Sequence, residues 1–373
     1  MHILQIYKDY PPVQGGIEGH VALLAEGLVA RGHQVTVLYS ALGRQTSRTQ
    51  RNGVQLWGIG RLVTLASTPL SPGLPWFVAR ARPDLIHLHH PHPPGDLAAL
   101  LAGRASPLVV SYHSDIVRQR RLAPLVQPLI RRSLHRAGRI IAASPTYIRT
   151  SPLLAPLASR CRVIPYGQPL DQLAQADPAA VAAWRARFPG PIILFVGRLR
   201  YYKGLDQLIR AMASVPAQAL IVGGEASVQQ RDLINLAHDV GVAERIHLLG
   251  ALDEASLRAL YHAADVFVLP SNERSEAFGI VQVEAQAAGL PVVCTELGTG
   301  TSYVTQHGRT GIVVPPNDVT ALARALRVLV ANPALARAMG QAGRARASAE
   351  FGLERMLDRI EAVYHEAIHD GVV

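Results

Sequence analysis

Two basic side chains in the second half of the sequence have the chemistry to bind a diphosphate. Arg198 and Lys203 lie in the segment GRLRYYKG, directly after an apolar run that is typical of a β-strand. Ligands of parallel α/β sheets bind beside the carboxyl ends of the strands. A guanidinium offers a fork of donors to phosphate oxygens, whereas an ammonium acts as a point charge. Taken alone, the two residues are also consistent with a solvated basic turn.

Two glutamates separated by seven residues mark a predicted strand-to-helix junction in the segment EAFGIVQVE. Glu276 precedes the helix and Glu284 lies within it, so they cannot form an adjacent catalytic carboxylate pair. A carboxylate accepts from two neighbouring hydroxyls, so one glutamate suits a sugar and the other a ribose. The backbone N–H groups of Phe278, Gly279 and Ile280 could hold phosphate or sugar oxygens. By composition alone, both glutamates are also consistent with surface residues near a helix N-terminus.

A third candidate follows the first predicted strand. Gly15 and Gly16 precede a predicted helix in YPPVQGGIEGH, where N–H groups at the positive end of the helix dipole suit phosphate. The alternative is a flexible loop whose glycines adopt positive φ. The segment is not GxGxxG, which argues against an NAD-dependent dehydrogenase.

The sequence contains no pattern typical of a metal site. No Asp-x-Asp occurs in the chain, so fixed cations would have to hold a diphosphate. Four histidines, His87, His89, His90 and His92, cluster in IHLHHPHPP, but strand alternation puts His87 and His89 on one face and His90 on the other. No cysteine or paired carboxylate joins them. We therefore expect no metal and no cofactor.

Alternating strands and helices must position these residues. Apolar runs rich in Val, Ile and Leu alternate with helical patterns, as in parallel sheets covered on both faces. The predicted strands are 2–7, 34–39, 54–59, 84–90, 107–113 and 139–144, and then 191–197, 218–224, 245–250, 265–270, 291–295 and 311–316. Three last helices, at about 317–331, 334–349 and 353–369, have no strand after them.

The length predicts two domains, since 373 residues correspond to about two domains of roughly 100–200 residues. A stretch rich in Pro, Gly and Ala at 166–180 interrupts the alternation of strands and helices and marks the boundary between them. The predicted boundaries are 1–170, 171–352, and 353–373 for a helix that crosses back to the first domain. The cleft between the domains is the expected ligand site.

Three features of the chain indicate the cellular compartment of the protein. No run of 18 apolar residues is present to span a bilayer. The N-terminus, MHILQIY, is typical of a strand rather than a cleavable signal, and only Cys161 and Cys294 are present. We expect a protein of the reducing cytoplasm, soluble or peripheral to a membrane.

The positive charge is concentrated in the first domain. Residues 1–170 contain 19 Lys+Arg and 6 Asp+Glu, a net charge of +13, whereas residues 171–373 carry a net charge of −3. The segment 118–139 has no acidic residue and seven arginines interleaved with Leu, Val and Ile: Arg118, Arg120, Arg121, Arg131, Arg132, Arg136 and Arg139. We expect Pro124 and Pro128 to prevent one continuous helix there.

An anionic membrane surface is the expected partner of this charge. A basic segment interleaved with aliphatic residues is what interfacial elements need, although a solvated basic face is the alternative. Aromatic residues are only 5% of the chain and do not alternate with the basic ones, which argues against nucleic acid.

Joined in this order and spacing, the motifs are specific for one family. GGIEGH, GRLRYYKG, the E-x7-E of EAFGIVQVE, and GLPVV followed by GRTGIVVPPND cover nearly the whole chain. The sequence resembles the retaining glycosyltransferases of family 4. The resemblance implies the α/β GT-B fold, in which two doubly wound, Rossmann-like domains face one another across a cleft. It also implies that the N-terminal domain receives the acceptor and the C-terminal domain binds a nucleotide sugar.

The resemblance assigns roles to the candidate residues. Arg198 and Lys203 match the cationic pair on the donor diphosphate, and Gly16 matches the first-domain loop that approaches it. Glu276 matches the residue that holds the donor sugar's hydroxyls, and Glu284 the one on the ribose. We expect Arg198, Lys203 and Glu276 to act in catalysis.

Further roles are implied for the first domain and for base recognition. His113, at the end of a predicted strand, matches a histidine near the donor sugar and joins the expected catalytic group. Segments like HLHHP lie at the cleft edge in relatives, which implies acceptor contact from His90 or His92. Base recognition is implied for the backbone of LLGALDE (248–254), around Leu252.

The resemblance also implies the reaction. Family members of this type are metal-independent and retain the anomeric configuration. The stretch TELGTGTSYVTQHGRTG (295–311) is similar to mannosyl- and rhamnosyltransferases of surface polysaccharide assembly. We expect transfer of a hexosyl group, mannosyl from GDP-mannose, to a lipid-linked or oligosaccharide acceptor at the inner face of the cell membrane. A UDP-sugar donor, an epimerase or phosphorylase of the same fold, and a non-catalytic polyanion-binding protein are the alternatives.

Overall fold

Strands and helices alternate through the computed structural model, which describes residues 1–13, 15–65, 67–102, 106–116, 123–224 and 228–370. The strands are β1 His2–Ile6, β2 Gln34–Ser40, β3 Ser47–Arg51, β4 Val54–Ile59, β5 Val63–Leu65, β6 Thr68–Leu70, β7 Leu85–His90, β8 Leu108–Tyr112, β9 Arg139–Ala142, β10 Cys161–Val163, β11 Ile192–Val196, β12 Gln218–Val222, β13 Ile246–Gly250, β14 Val266–Leu269, β15 Val292–Thr295 and β16 Gly311–Val314. The α-helices are α1 Gly16–Ala30, α2 Leu74–Ala81, α3 Pro93–Leu101, α4 Ala123–Arg136, α5 Pro145–Thr150, α6 Leu170–Leu173, α7 Pro178–Arg187, α8 Leu205–Ala211, α9 Val228–Asp239, α10 Glu254–Ala263, α11 Ile280–Ala287, α12 Thr301–Val304, α13 Val319–Ala331, α14 Pro333–Glu350 and α15 Leu353–Asp370.

Two large sheets organise these elements. The first has the strand order β10-β9-β8-β7-β1-β2-β4-β3, and the second the order β13-β12-β11-β14-β15-β16. Every pair in them is parallel except β3 with β4. The central strands β1, β7, β8, β11 and β14 are almost wholly buried, which explains their near-continuous apolar sequences. The prediction of two doubly wound α/β sheets is confirmed.

The chain forms two compact units that do not follow one another simply in sequence. Unit 1 comprises Met1–Gly167 and Glu354–Val373, and unit 2 comprises Gln168–Leu353. The first and last residues of unit 2 lie side by side. Gln168 N–H donates to Phe351 O at 2.9 Å, and Leu353 N–H donates to Gln168 O at 3.0 Å.

Helix α15 is fastened to unit 1 by packing and by charge. Its apolar face is buried, and Leu357 packs so closely on Gly27 of α1 that a Cβ atom there would lie 2.6 Å from Leu357 Cδ1. Arg31 pairs with Glu354 at 2.6 Å and with Glu361 at 2.5 Å. The helix therefore completes the unit that begins at residue 1.

The expectation that prolines prevent a continuous helix is wrong for residues 123–136. Pro124 lies in the first turn of α4, where the missing N–H has no intrahelical partner to lose. Pro128 lies inside the helix, at a cost of ~3 kcal/mol for the lost bond and the ring clash. Burial of Ile130 and Leu134 against the unit helps to offset that cost.

Several short strands have no counterpart in the sequence prediction. The edge strand β3 is fully exposed and polar, so it lacks the apolar alternation by which strands are recognised. The two-stranded ribbon of β5 and β6 and the edge strand β10 have only three residues each.

Across the described ranges, each helix taken singly is too short or too polar to cross a membrane, and α13 with α14 meets the length and composition test only as a pair bent by 100°.

The ion pairs of Glu366 on α15 predict a pH-dependent contribution to stability. Arg139 donates to Glu366 at 2.7 Å and Arg162 at 2.8 Å. The hydrogen bond from Arg139 is the main cause that lowers the pKa of Glu366 below its ordinary 4.5. A depressed pKa stabilises the fold above the unfolded value, and this contribution is lost as the pH falls through the folded value.

Glu366→Gln should therefore lower the free energy of unfolding at pH 7, by less than about 1 kcal/mol for so exposed a pair, and change little near pH 3. Urea unfolding followed by circular dichroism measures the difference at each pH. Asp232→Asn, at an exposed position of α9, serves as the control. An equal loss at both pH values would contradict the assignment.

Candidate active site

The loop after β11 carries the two predicted phosphate ligands in different environments. Arg198 is exposed, whereas Lys203 is only 8% exposed. Between Lys203 and α8, Gly204 adopts φ 64°, and a Cβ atom there would overlap the carbonyl oxygen of Pro270. The loop after β11 is thus pressed against the residue that directly follows β14, which brings two strand ends together.

Lys203 forms a buried ion pair with Glu276. The Lys203 Nζ atom lies 2.5 Å from Glu276 Oε2, and Glu276 is also only 8% exposed. Ser271, just after β14, donates its hydroxyl to the same carboxylate oxygen at 3.1 Å. The residues predicted for the diphosphate and for the sugar therefore contact each other. An ammonium has three donors, so the pair leaves Lys203 with further donors for a ligand.

Hydrogen bonds from the following loop hold the Glu276 segment in place. Thr299 donates its hydroxyl to Glu276 O at 2.8 Å, and Gly300 N–H donates to Ala277 O at 2.7 Å. Thr295 donates its hydroxyl to Ser271 O. The carboxylate thus sits on a backbone fixed from the neighbouring strand end, as preorganised binding requires.

Helix α11 begins at Ile280, where the sequence places a helix start. Gly279 precedes it with φ 77°, and a Cβ atom there would lie 2.6 Å from Leu269 Cδ2. Phe278 is 2% exposed and its ring packs edge-on against Phe351, at 6.0 Å between centroids. Phe278 therefore anchors the junction, while glycine permits the sharp entry into the helix.

Glu284 lies in α11, apart from the Lys203 pair. Tyr261 of α10 donates its hydroxyl to Glu284 Oε2 at 2.7 Å. Burial raises the pKa of Glu284, and the tyrosine hydrogen bond opposes that rise. The loop between β13 and α10 contains Leu252, which is half-buried against the core of unit 2.

In unit 1, the two glycines stand at the start of α1. Gly15 has φ 172°, which is extended backbone, and Gly16 is the first helical residue. The alternative of glycines that need positive φ is therefore wrong at these positions. Gly19 N–H donates to Gly15 O at 2.9 Å to close the first turn.

His113 follows β8 and belongs to a buried hydrogen-bond chain. Its Nδ1 atom is 2.6 Å from the Tyr166 hydroxyl, and its Nε2 atom is 3.0 Å from His89 Nδ1. His20, on α1, packs edge-on against the His113 ring at 5.6 Å. Burial is the main cause that lowers the pKa of His113 and His89 well below 6.5, and it lowers that of His20 to about 3. The cluster is therefore neutral at physiological pH.

The same cluster is where the described residues come nearest to a metal site. One ring nitrogen from each of His20, His89 and His113 lies within 4.8 Å of the others. Neutral imidazole is the form that binds metals, but His89 Nδ1 and His113 Nε2 already share the 3.0 Å hydrogen bond. The hydrogen bonds to Tyr166 and His89 hold His113 from both ring nitrogens and so orient its ring.

His90 and His92, predicted for the acceptor, are both fully buried. The His90 ring stacks on Tyr112 at 4.7 Å, and its Nδ1 atom is 3.4 Å from Asp96 of α3. Burial lowers the pKa of His92 to about 3. Acceptor contact from these side chains stays a prediction, and in this structure neither presents surface.

The arginines predicted for a membrane surface fall into three groups. Arg131 and Arg132 are exposed on α4. Arg136 instead donates to Ala99 O at 2.5 Å and Ser106 O at 3.1 Å, and Arg139 pairs with Glu366, so these two stabilise unit 1. The remaining three, Arg118, Arg120 and Arg121, lie outside the described residues.

Three contacting residues were not singled out by the sequence. Ser271 stands at the carboxyl end of β14, so the strand-end rule could have found it. Tyr261 meets Glu284 from another helix, and Tyr166 meets His113 from 53 residues away, so no local pattern marks either contact.

Comparisons with known proteins identify the family and the relatives of this chain. Residues 14–172 match the family described as Glycosyltransferase Family 4, and residues 182–346 match Glycosyl transferases group 1. The chain is 37% identical to D-rhamnosyltransferase WbpZ of Pseudomonas aeruginosa, over 93% of this chain and 91% of that protein. It is 35% identical to O-antigen chain mannosyltransferase C of Escherichia coli, over 98% of each.

A further relative is the GDP-mannose-dependent alpha-(1-6)-phosphatidylinositol monomannoside mannosyltransferase of Mycobacterium tuberculosis, 31% identical over 94% of each chain. Among solved structures, sucrose-phosphate synthase of Thermosynechococcus elongatus is similar with a TM-score of 0.85, 26% identity and 99% coverage of each chain.

The Lys203–Glu276 pair predicts strong energetic coupling. Removing one member leaves a buried charge without its partner, so Lys203→Met and Glu276→Gln should each lower the free energy of unfolding by about 3–5 kcal/mol. The double variant should lose clearly less than the sum of the two. Urea unfolding of the four proteins in the cycle measures the coupling.

Arg185 and Asp265 provide a matched control, because their side chains are 40% and 36% exposed at 2.7 Å separation. The corresponding cycle with Arg185→Met and Asp265→Asn should give a coupling below about 1 kcal/mol. Additive losses at Lys203 and Glu276 would show that the pair is not coupled.

Proposed function

This chain belongs to the family 4 glycosyltransferases, and from that membership we propose that it transfers a mannosyl group from GDP-mannose to a lipid-linked or oligosaccharide acceptor. The resemblance seen in the motifs and the GT-B fold are confirmed by the comparisons. The proposed process is surface polysaccharide or glycolipid biosynthesis. The names of the Escherichia coli and Mycobacterium tuberculosis relatives, a mannosyltransferase of O-antigen chains and a GDP-mannose-dependent enzyme, support this choice.

The observation that carries the proposal is the cation set beside β11. Arg198 is exposed and makes no hydrogen bond or ion pair within the described part of the chain, and Lys203 lies five residues away. In the proposed complex, Arg198 binds the diphosphate with its fork of donors and Lys203 adds a fixed charge. The barrier lies in separating a sugar cation from an anionic leaving group, so preorganised cations act on the transition state.

The glutamates would bind the two sugars of the donor. Glu276, held by Lys203 and Ser271, is assigned to the hydroxyls of the transferred sugar. Glu284 is assigned to the ribose through Oε1, since Tyr261 occupies Oε2. The backbone N–H groups of Phe278, Gly279 and Ile280, and the loop around Leu252, are assigned to donor oxygens and to the base.

We propose that the reaction retains the anomeric configuration and needs no metal. The bond from the anomeric carbon to the phosphate oxygen breaks, and the acceptor oxygen bonds to the same face of the sugar. The departing phosphate takes the proton of the acceptor hydroxyl, so charge and atoms balance. Gly15, Gly16 and the His113 cluster are the unit 1 groups assigned to the diphosphate and the sugar.

We propose that the enzyme binds its acceptor at the inner face of the cell membrane. Arg131 and Arg132 are exposed on α4, and Leu125 on the same helix is 76% exposed. Each cation near an anionic leaflet contributes about 1 kcal/mol, and an exposed leucine adds apolar area. The net charge of +13 in residues 1–170 supports the same orientation.

Arg198→Ala should reduce mannosyl transfer from GDP-mannose by about 10²- to 10³-fold, because one preorganised charge partner of the leaving group is lost. The change leaves no buried group without a partner, so the melting temperature should not move. Transfer of radiolabelled mannose to an oligosaccharide acceptor measures the rate.

Arg200→Ala is the matched control, since Arg200 is an exposed arginine of the same loop. It should keep near-normal activity, and the wild type should work equally in excess EDTA. Full activity of Arg198→Ala would remove the cation set from the mechanism, and loss of turnover on chelation would remove metal independence.

A second prediction concerns the membrane. The double variant Arg131→Gln/Arg132→Gln should bind vesicles containing anionic lipid more weakly than the wild type, and high salt should abolish the difference by screening. Co-sedimentation measures the bound fraction. The control is Arg324→Gln/Arg327→Gln, at two exposed positions of α13. Equal binding by both double variants would place the membrane contact elsewhere.

A further inference from the structure

A cavity in unit 2 lies apart from the residues assigned to the diphosphate and the sugars. It has a volume of about 650 Å³ and is formed by α6, the following loop, α7 and the first turns of α10. Volumes of 300–1,000 Å³ are typical of small-molecule sites. Neither the Lys203–Glu276 pair, nor Arg198, nor Glu284 lines it.

One wall of the cavity is apolar and held in place. Trp184 is half-buried, its ring lies nearly parallel to that of Phe188 (14° between planes, 6.1 Å between centroids), and the Arg187 guanidinium lies 5.5 Å from the indole. Ala180, Ala183 and Ala255 continue this wall with small side chains. The cavity therefore has an aromatic side chain beside a low, apolar surface on which a flat ligand can rest.

The rest of the lining is polar and balanced in charge. Asp171 and Asp177 contribute two negative charges, and Arg187 and Arg258 two positive ones. Gln172 and Gln175 add carboxamides, each with donors and an acceptor.

Several of these groups are free to bind a ligand. The side chains of Asp171, Gln172, Gln175 and Arg258 make no hydrogen bond or ion pair with any residue that the structure describes. By contrast, Asp177 is occupied as the cap of α7, where it accepts from Ala179 N–H at 3.1 Å.

This combination selects a class of ligand. The two carboxylates would repel a phosphate ester. Because two aspartates and two arginines give the lining no net charge, the cavity also does not favour a strongly ionic ligand. Free donors and acceptors beside an aromatic side chain suit a molecule with an apolar face and many hydroxyls. A neutral hexose unit has both properties.

We propose that this cavity is a second saccharide-binding site, which holds a neutral hexose segment of a glycan chain. The proposal goes beyond the transfer reaction and depends on it only in that the enzyme's acceptor and product are saccharides. A glycan held at this second point would stay near the enzyme between successive encounters, as linked binding sites allow.

The test is a titration of the full-length protein with the neutral oligosaccharide mannotetraose, without donor. Isothermal calorimetry and tryptophan fluorescence should both show saturable binding. Arg258→Ala and Gln175→Ala should weaken it, by about tenfold for the charge-assisted contact. Trp184→Ala should remove the binding at this cavity, so that any saturable binding that remains belongs to the proposed acceptor site, and thermal melting reports whether that variant is folded. Arg231→Ala, at an exposed site of α9, and Trp76→Ala, in unit 1, should bind as the wild type does.

Different outcomes separate this proposal from the proposed transfer reaction. Absence of saturable binding, or equal affinity in Arg258→Ala, Gln175→Ala and the wild type, would overturn the second site. Competition by GDP-mannose would also overturn it, because the cavity would then belong to the donor. If mannotetraose binds as expected while GDP-mannose gives no transfer, the second site stands and the proposed reaction falls.

Discussion

The buried contact between Lys203 and Glu276 sets the arrangement of unit 2 around its strand ends. A lysine and a glutamate that are each 8% exposed are tolerated because they neutralise one another at 2.5 Å and because Ser271 satisfies the carboxylate further. That requirement ties the loop after β11 to the loop after β14. Two further features keep these loops together. Glycine is needed at position 204 because a Cβ atom there would overlap Pro270, and the hydroxyls of Thr295 and Thr299 donate to the backbone of Ser271 and Glu276.

Much of the fold was predictable from the sequence, because buried parallel strands are long apolar runs. Strands such as β7 and β11 are buried on both faces and so stand out from the helices around them. The elements that escaped prediction are those where the environment overrides local pattern. Strand β3 is polar because it is an exposed edge, and α4 continues through Pro128 because burial of Ile130 and Leu134 helps to offset the cost.

The site was predictable in part, for the same reason. Residues in the loops that follow strands, such as Arg198 after β11 and Glu276 between β14 and α11, carry a positional signal in the sequence. Their partners do not. Tyr261 and Tyr166 reach Glu284 and His113 from other elements, so their roles depend on tertiary packing. Sequence spacing does not predict burial either. His90 and His92 are interior residues, and burial keeps the His113 cluster neutral.

The division of unit 1 into two chain segments has a consequence for synthesis on the ribosome. The 186 residues of Gln168–Leu353 must be translated before α15 exists, which takes about 10 to 40 s at typical bacterial to eukaryotic speeds. During that interval the surface that later receives Leu357, Ile360 and Tyr364 is open to water and to other nascent chains. Unit 1 therefore keeps an apolar surface uncovered until the last helix has been translated.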